Sequence, residues 1–114
     1  MESAKSVMEP VMWILQMSTG LAMIALVSTH FYVTHMISHD ALEYSAVTER
    51  VSSTEYRLLY GVLLLIVSFH AFNGLRAIIL DTNAGMKVKN AINVLTTLMF
   101  LTAFFYGIYL LVNI

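Results

Sequence analysis

Cysteine is absent from this 114-residue chain. That excludes disulfides, thiolate metal sites, iron–sulfur ligation and thioether attachment of a cofactor. Charge is scarce as well: only 11% of residues are Asp, Glu, Lys or Arg, where soluble domains carry about 25%. The formal net charge is −1, with no run of Lys or Arg, so nothing in the chain attracts nucleic acid. No A-x-A-like cleavage site follows the first apolar run, which is too long for a signal-peptide core. The chain is therefore expected to be mature from Met1.

What remains is apolar: 59% of residues are hydrophobic and the mean hydropathy is +0.77. The few charges are also segregated. None falls between Val11 and His39, only Arg76 interrupts Leu58 to Leu80, and none follows Lys89. Each gap holds a helix of about 20 residues, the length that crosses a hydrocarbon core of about 30 Å. The sequence thus predicts an all-α membrane protein, a single domain over residues 1–114 with spans at about 10–37, 56–80 and 88–112. Pro10 is expected in the first turn of the first span, where its missing N–H has no intrahelical partner. The polar stretch SHDALEYSAVTERVSSTE between the first two spans is long enough for a short amphipathic helix at the interface. DTNAGMKVKN reads as a turn between the second and third.

Arg76, Lys87 and Lys89 cluster at the second loop, with Lys5 on the same side. By the positive-inside rule this makes the N-terminus and second loop cytoplasmic. His30, His35, His70, Arg76, Asn90 and Asn93 lie at or near membrane depth, where polar groups need partners. A second subunit or a cofactor is the expected source of them.

Two constellations carry the chemistry. In SFHAFNGLRAIILDT, successive residues turn by 100°, so His70, Gly74 and Asp81 share one helix face. Asp81 stands about 16 Å along it from His70. An imidazole with a small residue one turn away suits the edge of a flat macrocycle. The same pair reads equally as a hydrogen-bonded helix–helix contact. In the first span, Gln16, Gly20, Val27 and His30 form one stripe. His30 lies near its outer end and His70 deeper in the second span, so the two cannot share one metal. An interfacial histidine held by water or a loop carbonyl is the alternative for His30, and more so for His35 and His39. Most of the eight methionines are core filling.

With those residues in view, the chain resembles the membrane-anchor subunits of the succinate dehydrogenase and fumarate reductase family. The pattern H-x3-G-x-R-x4-D, read as His70, Gly74, Arg76 and Asp81, is similar to the haem-binding helix of cytochrome b-type anchors. Gln16 to Gly20 resembles the family's first-helix signature, with Met17 where relatives often have Arg. The resemblance implies half of a helical bundle completed by a sister anchor subunit and docked to iron–sulfur and flavoprotein subunits, and the small size and lack of a transit peptide point to a prokaryotic plasma membrane as the expected location.

It further implies that His70 is an axial ligand of a haem b shared with the sister subunit. By likeness to dihaem anchors, His30 takes that role for a second haem nearer the outer face. Gly74 and Arg76 would border the haem, Arg76 as propionate partner. Gln16, Trp13 and Asp81 would border the site of ubiquinone or menaquinone. No catalytic nucleophile or base is implied, because succinate oxidation belongs to the flavoprotein. A haem-free anchor of the same family and an unrelated three-span cytochrome remain as alternatives.

Overall fold

The computed structural model describes residues 2–82 and 85–114, with side chains from residue 8 onward. The Lys5 side chain and residues 83–84 of the second turn, both used above, lie outside the described residues. The order of elements is α1 (Glu2–His35), α2 (Tyr44–Ser52), α3 (Thr54–Leu80) and α4 (Met86–Val112). Three of these helices are long and apolar enough to cross a membrane, α1 from Met8 onward, α3 and α4. A 27-residue helix such as α3 or α4 is about 40 Å long, which exceeds the hydrocarbon thickness and carries both ends into the headgroup region. The all-α, three-span architecture expected from sequence is the one found.

Pro10 departs from expectation. It lies inside α1, which begins at Glu2, and not in the first turn. Proline's fixed φ is itself helical, and what it removes is one N–H bond to the carbonyl four residues back. That carbonyl belongs to residue 6, outside the apolar span that starts at Met8.

The amphipathic segment foreseen in the first loop is α2. Val51 is buried there, and its carbonyl accepts a 2.7 Å bond from Arg57 Nε. Ser53 then accepts from the Tyr56 amide at 3.2 Å, satisfying one of the donors that the start of α3 leaves free.

α3 is the spine of the molecule. It packs against α1 on one side and α4 on the other, while α1 and α4 scarcely meet. Gly107 on α4 lets the chains close: a Cβ there would stand 2.5 Å from Leu64 Cδ2. The interior is inverted relative to a soluble protein. The buried residues are Ala41, Val51, Thr34, Ser68, Asn73 and Thr96, whereas Trp13, Leu21, Ile24, Leu58, Ile78 and many other large apolar side chains face outward. Lipid is as apolar as leucine, so burying leucine gains nothing there. Small and polar residues are what hold the helices together.

Candidate functional site

His70 sits where α1 crosses α3, and α1 grips it twice. Gln16 Nε2 donates to the His70 carbonyl at 3.1 Å, although that carbonyl already faces along its own helix. Thr19 Oγ1, one turn further along α1, stands 3.1 Å from His70 Nδ1. Asn73, buried on α3, donates to Gln16 Oε1 at 2.9 Å and to the Met12 carbonyl at 3.4 Å. One ring, one hydroxyl, two backbone carbonyls and two carboxamides are thus locked together at membrane depth, where each lost bond is costly.

The space beside the two glycines is filled from across the α1–α3 interface. Gly74 was expected to clear space beside His70 for a flat macrocycle, yet that space holds Gln16: a Cβ at Gly74 would lie 2.8 Å from Gln16 Nε2. Gly74 therefore admits the α1 carboxamide. Gly20 is the glycine that faces the imidazole, since its Cβ would stand 3.2 Å from His70 Cε1. Beyond it runs an open trough of about 400 Å³ lined by Gly20, Met23, Ile24, Val27, Ser28 and His70. Spacing along α3 alone could not reveal this, because the competitor for the space comes from another helix.

Arg76 is held by partners on two other helices. Its side chain is 18% exposed, and Nη2 pairs with Glu9 Oε1 at 2.8 Å. Its Nε donates to Asn93 Oδ1 at 2.6 Å. The guanidinium thus ties α1, α3 and α4 together through Nε and Nη2. These groups border a cleft of about 410 Å³ that also includes Met12, Asn73, Thr96 and Phe100. Much of the polar cargo that called for outside partners is satisfied within the chain.

The histidines are the exceptions. His30 packs edge-on to Tyr60 of α3, with ring centroids 5.5 Å apart at 87°, and its Nδ1 is buried with no hydrogen-bond partner. His35 lies against Phe31 at 4.8 Å near the end of α1. Among the described residues no group of three or more His, Cys, Asp or Glu comes together. A solitary histidine suits a metal whose other positions are filled from elsewhere, as the macrocycle nitrogens of a haem do. His70 fits that role: its ring stands beside a bare glycine, at an open trough, with one nitrogen already held.

Of the quinone candidates, Trp13 and Gln16 lie one turn apart on α1 and Asp81 caps α3. Both ends of the Gln16 carboxamide are engaged as described. Trp13 points outward at 65% exposure, and Asp81 is the exposed C-cap of α3. Thr19 and Asn73 are participants that the sequence did not single out. Each lies three residues from a polar residue that was noticed, Gln16 and His70, and this spacing makes neighbours on a helix.

Similarity to known proteins agrees with this architecture. The family model described as succinate dehydrogenase/fumarate reductase transmembrane subunit matches residues 6–110. A succinate dehydrogenase hydrophobic membrane anchor subunit of Archaeoglobus fulgidus is 68% identical over 114 residues, covering 100% of this chain and 97% of the relative. A protein of the same description from Thermoplasma acidophilum is 26% identical over 93 residues, 81% of this chain and 76% of the relative. Three apolar spans, an interior held by polar side chains and a match along almost the whole length lead to one conclusion: the chain belongs to the succinate dehydrogenase/fumarate reductase transmembrane subunit family, as a membrane anchor.

Proposed function

We propose that this anchor binds haem b through His70, together with a sister anchor subunit, and serves electron transfer from succinate to membrane quinone. The carrying observation is the His70 site, an imidazole fixed by Thr19 and Gln16 beside the bare Cα of Gly20. A bound haem would supply a one-electron store between iron–sulfur chain and quinone. The chain's own contribution is to hold one ligand nitrogen rigidly, to keep water away with the apolar wall of α1, and to leave the second ligand to its sister. Flavoprotein and iron–sulfur subunits dock at the cytoplasmic end, which by the charge bias carries the N-terminus and the loop after α3. Ubiquinone or menaquinone would bind there between subunits, with Trp13 and Asp81 as this chain's bordering side chains.

His30 is the candidate ligand of a second haem nearer the outer face. Its buried, unpartnered Nδ1 is a group that a water, a partner subunit or a rearrangement on ligation must satisfy. The test is haem per flavin in the complex purified from membranes, for the natural chain and for His30→Ala. Loss of one haem in the variant, with the His70 centre intact, assigns His30. An unchanged ratio removes His30 from the reading, and a natural complex with no haem removes the haem reading altogether.

A further inference from the structure

We infer that Thr19 sets the tautomer of His70, holding the ring proton on Nδ1 and leaving Nε2 as the free donor. That this donor serves a haem rests on the proposed function. The inference follows from counting one proton. Thr19 Oγ1 lies 2.7 Å from the Leu15 carbonyl and 3.1 Å from the Gln16 carbonyl. Two oxygens that close repel unless a proton lies between them, and a threonine hydroxyl has only one to give.

With that proton directed at the α1 backbone, Oγ1 meets His70 Nδ1 as an acceptor, and the 3.1 Å contact requires N–H on the imidazole side. Neutral imidazole then carries its lone pair on Nε2, which no described atom engages. Free histidine prefers the opposite arrangement, with the proton on Nε2, so Thr19 works against the default. A metal-bound histidine ordinarily donates its other N–H to a partner that fixes ring orientation and raises ligand basicity. Carboxylates and backbone carbonyls usually take that place. Here a hydroxyl on the neighbouring helix does, so the tautomer depends on α1 and α3 staying in register. Thr19 is a positioning residue, since it acts through His70.

Two readouts test this. In the full chain labelled with 15N-histidine and held in detergent without haem, the His70 signals should show a protonated Nδ1 and a bare Nε2. Thr19→Val, which keeps the shape and removes the acceptor, should move the proton to Nε2, and Thr19→Ser should restore it to Nδ1. In the purified complex, Thr19→Val should raise the haem midpoint potential, because a less basic imidazole stabilises the ferric state less. It should also weaken haem retention about tenfold, with Thr19→Ser close to the natural protein. A proton on Nε2 in the natural chain, or a Thr19→Val variant unchanged in both tautomer and potential, would overturn the inference. A natural complex without haem whose His70 still carries Nδ1–H would support the role of Thr19 and defeat only the haem reading.

Discussion

Replacing His70 by alanine is expected to abolish the b-type absorption of the deeper haem while leaving flavin and iron–sulfur content in the purified complex intact. The imidazole is gripped on its Nδ1 side by Thr19 and on its backbone by Gln16, so truncation leaves a hole of imidazole size next to Gly20 and no other imidazole among the described residues lining the trough. Met23 lines the same trough, and ligation by its thioether in place of imidazole would change the spectrum. Helix packing should survive, because the Gln16 bonds go to the His70 carbonyl and to Asn73, which alanine retains. Free imidazole added to the His70→Ala complex should enter the hole and restore the spectrum in part. Retention of the full natural spectrum in the variant would show that the ligand lies elsewhere.

The second large effect concerns the clasp that Arg76 makes with Glu9 and Asn93, six residues along α3 from His70. Removing Glu9 should destabilise the subunit more than removing Arg76, although both substitutions break the same ion pair. Glu9 is 64% exposed and Arg76 only 18%. Glu9→Ala strands a mostly buried guanidinium with Asn93 as its remaining partner, whereas Arg76→Met returns a carboxylate to water and fills the gap with an unbranched apolar chain. Fully buried pairs lose 3–5 kcal/mol when one partner is removed. Solvent reaching Glu9 reduces that to about 1–3 kcal/mol for Glu9→Ala, with a smaller loss for Arg76→Met. The denaturation midpoints of the two variants in detergent check the order. Equal midpoints, or the reverse order, would mean that the clasp does not carry a buried charge.

The spans were legible because hydrocarbon thickness imposes a length and an absence of charge, and both can be read one residue at a time. The starts of α3 and α4, at Thr54 and Met86, precede the expected 56 and 88 by two residues, a shift that end caps such as Ser53 account for. Pro10 was misplaced because a proline was taken to mark the first turn, whereas the helix continues upstream of it to Glu2. His70 was legible as a polar exception in an apolar run. Its surroundings were not, because Thr19, Gln16 and Gly20 reach it across an interface whose register no single-helix projection contains. Arg76 shows the same limit: it was readable as the one charge within the second span, but Glu9 and Asn93 as partners were not, since they lie on α1 and α4.

The central claim is that His70 supplies one ligand to a haem iron, and exchanging the ligand tests it more directly than deleting it. His70→Met in the purified complex should retain haem, show the spectroscopic signature of a thioether–iron bond and raise the midpoint potential, as exchanging a histidine ligand for a thioether does. A His70→Met complex whose haem spectrum and potential match those of the natural protein would contradict the account.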